Sequence, residues 1–319
     1  MLVLNGDDIR RLVTIADLIE PVATAMIGVS RREAQMPLRL AVPLSGQDKF
    51  GVMPGTLGGD ASYGAKLLSL FPRNPDRGLS SHSGVMLVFD RETGLPKACL
   101  DASVLTALRT AAASALATRL LARPDARRLA IIGAGEQAEG HLIAMRLVRP
   151  IDKIAVWSRN RDKTEAFARK FGIVAAPTMA AALADADIIC TTTSATEPFL
   201  AAAMVPSGCH LNAVGGSMPY LRELLPDCVP ALGFFTDYRP SLEAQAGEVI
   251  DARAKGHVSV DWQATEIGEV IAGTRSGRTS DTQRTVYRSL GVAAQDLAAA
   301  DFIAARAIER KGGIDIAWH

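Results

Sequence analysis

One glycine-rich run has the spacing of a turn that binds the pyrophosphate of a dinucleotide: Gly133-Ala-Gly-Glu-Gln-Ala138. It follows a short apolar strand candidate and opens a predicted helix, which is the context that such a run needs for this function. Gly133 permits a tight turn, Gly135 lets the backbone approach the pyrophosphate, and Ala138 allows the helix to pack closely on the strand. The helix N-terminus offers free N–H groups to the phosphates. The run therefore predicts a nicotinamide-dinucleotide site rather than a purely structural turn.

The end of the second strand of such a unit selects the cofactor. An acidic residue there binds the ribose 2′-hydroxyl of NAD, but this chain has Ser158 and Arg159 instead. A serine hydroxyl can donate to a 2′-phosphate, and a guanidinium can pair with its charge. The pair favours NADPH, with NADH as the alternative cofactor if Arg159 only extends into solvent.

The elements that would position these residues alternate between strand and helix after Pro124. Strand candidates lie at 129–132, 154–157, 187–192, 210–214 and 233–236, and helix candidates at 137–148, 161–171 and 179–184. This alternation is typical of an α/β fold whose parallel sheet carries helices on both faces.

The flanking segments have a different pattern. Residues 9–32 have helical spacing, and we expect a new helix to begin at Pro21. Residues 37–98 predict short strands, with a turn at 90–96 that joins two antiparallel strands. Helices are predicted at 102–122 and 292–310. A length of 319 residues suits two domains, which we place at 1–115 with 295–319 and at 116–294.

Composition narrows the classes of partner. A formal charge of +1 produces no long-range field, so neither nucleic acid nor a membrane surface is expected. The N-terminus lacks the basic flank of a signal peptide and no long apolar run is evident, so we expect a cytoplasmic protein. The cysteines and histidines form no CxxC or HExxH pattern, and no metal site is expected. They are Cys99, Cys190, Cys209, Cys228, His82, His141, His210, His257 and His319.

Several segments together resemble the ornithine cyclodeaminase/mu-crystallin family, and the similarity extends through most of the chain. They are Met36-Pro-Leu-Arg39, Gly64-Ala-Lys66, Leu79-Ser-Ser-His-Ser-Gly84, Asp90-Arg-Glu-Thr-Gly94, Leu105-Thr-Ala-Leu-Arg-Thr-Ala-Ala-Ala-Ser114, the run at 133–138, Arg222-Glu-Leu224 and Arg288-Ser-Leu-Gly291. The resemblance implies a Rossmann dinucleotide-binding domain plus an α+β domain that binds substrate and dimerises through its sheet. It also implies a homodimer and a substrate that is an amino acid or the imine derived from one.

The resemblance assigns three cations to the substrate carboxylate: Arg39, Lys66 and Arg109. Elementary chemistry agrees, because a small carboxylate in a closed cleft needs several cationic donors, and a guanidinium supplies a bidentate fork. The predicted catalytic residues are Lys66, as a proton source if neighbouring cations lower its pKa, and Ser217. The predicted cofactor contacts are Thr110, Gly133, Ala134, Gly135, Gln137, Ser158, Arg159, Thr193 and Ser194.

One departure from the ornithine cyclodeaminase pattern decides the expected reaction. Those enzymes carry an aspartate at the position that Ser217 occupies here, and a serine cannot act as a carboxylate base near neutral pH. We therefore predict a reductase that transfers hydride from NAD(P)H to the C=N carbon of a 2-imino carboxylate, such as pyrroline- or piperideine-2-carboxylate. The alternatives are an ornithine cyclodeaminase, an amino-acid dehydrogenase, or a non-catalytic protein that binds a small ligand.

Overall fold

The computed structural model describes residues 1–59 and 61–318, except for the side chains of Pro75 and Asp76. Asp60 and His319 lie outside the described residues, and the expectation that His319 binds no metal lies outside them as well. The chain divides into two compact units, Met1–Ala112 with Val292–His319 and Ala113–Gly291. The sequence places these boundaries at 115/116 and 294/295.

The strands are β1 (Leu2–Leu4), β2 (Leu40–Pro43), β3 (Lys49–Thr56), β4 (Tyr63–Leu70), β5 (His82–Phe89), β6 (Pro96–Asp101), β7 (Arg128–Ile132), β8 (Lys153–Trp157), β9 (Val174–Ala175), β10 (Ile188–Thr191), β11 (His210–Ala213), β12 (Gly233–Thr236), β13 (Thr265–Glu266), β14 (Thr285–Arg288) and β15 (Ile314–Asp315). The helices are α1 (Gly6–Leu12), α2 (Ile15–Ser30), α3 (Ala102–Leu121), α4 (Glu136–Val148), α5 (Arg161–Phe171), α6 (Met179–Leu183), α7 (Cys228–Ala231), α8 (Arg239–Gln245), α9 (Gly247–Ala254), α10 (Ile267–Ile271) and α11 (Ala293–Arg310).

In the first unit, as far as the structure describes it, seven strands form one sheet in the order β15-β1-β6-β5-β4-β3-β2. All neighbours pair antiparallel except β1 and β6. The predicted turn at 90–96 is confirmed: Asp90 accepts from the N–H and hydroxyl of Thr93, and Gly94 has a positive φ of 71°. This hairpin joins β5 to β6.

The prediction that Pro21 begins a new helix is wrong. Pro21 lies inside α2, and the helical chain is interrupted at residues 13–14 instead. The backbone N–H of Thr14 donates to the Asp17 carboxylate at 2.8 Å, and the Thr14 hydroxyl accepts from the Asp17 N–H at 3.4 Å. This reciprocal capping box fixes the helix start.

The second unit contains the predicted parallel sheet. Among its described residues, eight strands lie in the order β13-β12-β14-β11-β10-β7-β8-β9, and every pairing is parallel. On one side of β7 lie β8 and then β9. On the other side lie β10, β11, β14, β12 and β13, in that order. The switch point between β7 and β10 is where dinucleotides bind in such sheets.

Contrary to the expectation of no long apolar run, helix α3 is long and apolar enough to cross a membrane by length and composition. Of its most apolar window, 72% is buried inside the protein. This burial is typical of the core helix of a folded domain.

Candidate active site

A buried ion cluster lies on the helix-covered face of the first sheet. The Lys66 ammonium is 2.7 Å from Oδ2 of Asp296, and Arg109 Nε donates to Oδ1 of the same carboxylate at 2.8 Å. Lys66, Arg109 and Asp296 are 1%, 5% and 0% exposed. A second nitrogen of Arg109 donates to Gln295 Oε1 at 2.9 Å. The carboxylate thus fixes the positions of two cations that would otherwise repel each other.

Strand register and helix packing account for this placement. Lys66 pairs with Met53 on β3 and Met86 on β5, and both methionines are buried. Because side chains directly opposite across a sheet share a face, Lys66 faces inward with them. Helix α11 packs on β3, β4 and β5, and it carries Asp296 in its first turn, where the helix dipole stabilises an acid.

Burial and neighbouring charges set the protonation of the cluster. Burial lowers the pKa of Lys66 to about 7; Asp296 opposes this shift, whereas Arg109 and Arg39 add to it. Burial disfavours ionisation of Asp296, yet Arg109 and Lys66 outweigh it and hold the Asp296 pKa below its usual value. Arg39, half-buried just before β2, is close enough to act on Lys66. Two of the three predicted carboxylate-binding cations therefore share one acid, and the third acts on Lys66.

Asp296 and Gln295 were not among the sequence-predicted site residues. A signal was present, because Asp296 is a charged residue in the run Ala293-Ala-Gln-Asp-Leu-Ala-Ala-Ala300, whose other members are apolar apart from Gln295. All of these residues are buried. A carboxylate in an apolar helix indicates a buried partner, but the sequence does not indicate which cations those partners are.

The glycine run forms the turn from β7 to α4. Gly133 has a φ of 122°, and a Cβ there would come within 2.6 Å of the Thr192 hydroxyl, so only glycine fits. A Cβ on Gly135 would meet nothing within 4 Å, and Gly135 is the N-cap of α4 with no side-chain capping bond. Space is therefore open beside the N-cap of α4, and Ala138 is fully buried, as helix–strand packing requires. Ala134 lies in the turn and Gln137 in the first turn of α4, where its Oε1 is a buried atom without a hydrogen-bond partner.

Ser158 and Arg159 follow β8. The Ser158 hydroxyl lies 2.7 Å from Thr164 Oγ1 and 3.0 Å from the Asn160 carbonyl oxygen, to which it donates. Arg159 is exposed. The remaining predicted residues lie in three places. Thr193 and Ser194 follow β10, and they are half-buried and exposed, respectively. Ser217 follows β11 and is half-buried. Thr110 lies on α3 in the first unit and is buried.

The second unit thus fits a dinucleotide: a turn that admits only glycine, an uncapped helix N-terminus, and an orphaned polar atom beside it. Among the described residues, no group of three or more His, Cys, Asp or Glu side chains is arranged to hold a metal ion.

The parallel sheet and its glycine turn define a Rossmann dinucleotide-binding protein. More specifically, the chain belongs to the ornithine cyclodeaminase/mu-crystallin family, whose sequence profile matches residues 1–311. It is 33% identical over 321 residues to a Delta(1)-pyrroline-2-carboxylate reductase of Bacillus cereus (strain ZK / E33L), covering 98% of each chain. It is 34% identical over 292 residues to ketimine reductase mu-crystallin of Mus musculus, covering 90% of each.

Two solved structures share the whole fold. One is Thermococcus litoralis Delta(1)-pyrroline-2-carboxylate reductase in complex with NADH and L-proline, with a TM-score of 0.93 and 30% identity over 99% of this chain and 100% of that one. The other is an archaeal alanine dehydrogenase dimer with bound NAD, with a TM-score of 0.92 and 30% identity over 100% and 99% of the two chains. NAD(P) binding is therefore a property of the family to which this chain belongs.

Proposed function

We propose that the protein is an NAD(P)H-dependent reductase that converts 2-imino carboxylates, in particular cyclic ketimines such as pyrroline- or piperideine-2-carboxylate, to L-amino acids. The observation that carries the proposal is the buried cluster of Lys66, Arg109 and Asp296, with the Lys66 pKa at about 7. Support comes from the Bacillus cereus relative and the Thermococcus litoralis structure, both named Delta(1)-pyrroline-2-carboxylate reductase, and from the Mus musculus relative, named ketimine reductase mu-crystallin.

The cluster offers both things that the imine substrate needs. Arg109 and Arg39 supply cationic donors for the substrate carboxylate. Lys66, which exchanges its proton near neutral pH, supplies the proton for the imine nitrogen. The bound cofactor supplies the hydride. One hydride on carbon and one proton on nitrogen convert the C=N bond to the amine, and neutral Lys66 regains its proton from water.

Ser217 and its surroundings favour reduction over ammonia-releasing cyclisation. Cyclodeamination needs a group that accepts a proton and pairs with the departing ammonium, which a serine hydroxyl does poorly. No aspartate occurs between His210 and Pro226. The acid in this segment, Glu223, is 3% exposed, and both of its carboxylate oxygens accept hydrogen bonds within the protein.

The test is a panel of cyclic ketimines and amino acids, each assayed with both cofactors. We expect NADPH oxidation with at least one cyclic ketimine, and no proline or ammonia from ornithine with NAD+. Turnover of ornithine near one per second, an ordinary enzymatic rate, would contradict the proposal, as would net NAD(P)+ reduction with an amino acid and no ketimine reduction.

We further propose that the protein is a homodimer in the cytoplasm. The first sheet has an outward face opposite to that of Lys66, on which Leu40, Val52, Leu67 and Val85 form one row across four strands. The end members of the row, Leu40 and Val85, are 59% and 37% exposed. An apolar sheet face of this kind is typical of a protein interface. The four cysteines are free thiols, which fits a reducing compartment.

A further inference from the structure

One buried carboxylate in the second unit collects hydrogen bonds from two different loops. Glu223 Oε2 accepts from the Thr191 hydroxyl at 2.7 Å and from the Gly215 N–H at 2.8 Å. Its other oxygen, Oε1, accepts from the N–H and the hydroxyl of Thr193 at 2.7 Å and 2.8 Å. Four donors converge on this side chain, which is only 3% exposed. An ionised carboxylate, which only accepts, matches this arrangement.

The donors lie at the carboxyl ends of two adjacent parallel strands. Thr191 ends β10, Thr193 follows it, and Gly215 lies two residues beyond β11. Strand β10 is also the neighbour of β7, so these loops border the switch point on the side opposite β8. A dinucleotide places one half on each side of such a switch point. Because the pyrophosphate turn and Ser158 belong to β7 and β8, the β10 and β11 loops border the nicotinamide half.

Local geometry holds Glu223 in this position. Its carbonyl oxygen accepts from the N–H groups of Phe199 and Leu200, both at 3.0 Å. At Gly215, an added Cβ would collide with the Glu223 carboxylate and with the Thr193 carbonyl oxygen. At Gly216, it would come within 2.6 Å of the Leu221 carbonyl oxygen. The paired glycines are therefore the residues that let the carboxylate reach the loop that leads to Ser217.

We propose that Glu223 is a positioning residue for the nicotinamide half of the cofactor site. It fixes the loop with Thr193 and Ser194 relative to the loop with Ser217. The inference rests on the proposed NAD(P)H-dependent function. Loss of the Glu223 charge therefore disturbs the binding of the nicotinamide ring. It leaves the binding of the adenosine end unchanged, because that end depends on the β7–α4 turn and on Ser158.

The test compares NADPH with 2′-phospho-ADP-ribose, which lacks the nicotinamide ring, in calorimetric binding to the full-length protein. In Glu223→Gln, an NH₂ group replaces one of the two carboxylate oxygens. A donor then faces the N–H and O–H groups that donated to this oxygen, and these hydrogen bonds are lost. We expect NADPH affinity to fall by about tenfold or more, with 2′-phospho-ADP-ribose affinity unchanged within about twofold, and the fluorescence of bound NADPH to change. Glu266→Gln is the matched control, since Glu266 is a fully buried carboxylate of the same unit that accepts from the Arg239 N–H at 2.9 Å.

The outcomes separate the inference from the proposed function. Equal losses for both ligands, or a lower Tm with both affinities unchanged, would make Glu223 a purely structural residue and overturn the inference. Should E223Q not fold, Glu223→Asp, which keeps the charge on a shorter side chain, must show the same selective loss of NADPH affinity. If the unmodified protein binds neither NADPH nor NADH, the proposed function and this inference both fail. If it binds cofactor but reduces no ketimine, only the proposed function fails.

Discussion

The ammonium of Lys66 titrates near neutral pH because burial removes its hydration, and the neighbouring guanidinium groups add repulsion. In ketimine reduction, the protonated form is the active one. We therefore expect kcat/KM to be constant below pH 7 and to fall by about tenfold per pH unit above it, since kcat/KM reports groups of the free enzyme. The measurement is a pH profile from about pH 5.5 to about pH 9 at saturating NADPH. A flat profile over this range would exclude Lys66 as the proton source.

Asp296 raises the pKa of Lys66 and opposes the effect of burial. Removal of its charge in Asp296→Asn should move the alkaline limb to lower pH and reduce kcat/KM at pH 7 by about tenfold or more. Asp301→Asn is the control, because Asp301 is a carboxylate on the same helix that pairs with Lys97 at 3.1 Å, outside the cluster. The same pH profile in D296N and in the unmodified protein would show that the carboxylate does not tune Lys66.

Ser158 stands where an NAD-specific protein would place an acid. In Ser158→Asp, repulsion between the new carboxylate and the 2′-phosphate should weaken NADPH binding relative to NADH by about tenfold or more. Dissociation constants for both cofactors provide the measurement, with Ser259→Asp, at an exposed position of the same unit, as the control. Equal affinities of the unmodified protein for the two cofactors would contradict an NADPH preference.

The sequence indicates individual site residues to the extent that their function is local. The glycine turn could be predicted because its chemistry lies within six consecutive residues. Asp296 and Glu223 could not, because Arg109 lies 187 residues from Asp296 along the chain and Thr193 lies 30 residues from Glu223. Only the tertiary fold shows that Asp296 neutralises part of a cationic cluster or that Glu223 joins two loops.

At the scale of elements, the strands predicted in the second unit were those with apolar runs, and the strands missed there have short apolar runs or none. β9 has only two residues, and β14 is Thr-Val-Tyr-Arg, a central strand that ends in a charge. Arg288 is tolerated there because its Nε donates to the buried carboxylate of Glu248 at 2.5 Å, and its Nη1 donates to two carbonyl oxygens. Pairing of this kind makes a buried charge acceptable, but a single sequence does not indicate it.

The C-terminal end of α3 depends on Arg149. Its guanidinium donates to the carbonyl oxygens of Thr118, Arg119, Ala122 and Arg123 at 2.7–2.9 Å, which satisfies groups that a helix end leaves unpaired. Arg149→Ala should lower the free energy of unfolding by about 2 kcal/mol and Tm by roughly 5 °C. Thermal denaturation measures this, with the exposed Arg146→Ala on α4 as the control. Equal Tm values for both variants would show that these hydrogen bonds contribute little.

At the scale of the whole molecule, the apolar row of Leu40, Val52, Leu67 and Val85 predicts association through the first sheet. Its outer members are exposed in the single chain, and burying them against a second copy would remove apolar area from water. The other face of the same sheet carries Lys66, so an interface on the outward face leaves the ion cluster inside its own unit. The proposed dimer interface and the candidate active site therefore lie on opposite faces of one sheet.

The double substitution Leu40→Glu with Val85→Glu places two charges on that outward face. If two copies associate there, the uncompensated carboxylates should weaken the dimer by about 3 kcal/mol or more, which is roughly a hundredfold in Kd. Sedimentation velocity at micromolar concentration should then detect monomer, with unchanged circular dichroism. Val174→Glu, at a position that is 63% exposed in the second unit, should remain dimeric. A dimeric L40E/V85E protein would exclude this face, because an apolar interface cannot accommodate unpaired charges without loss of affinity.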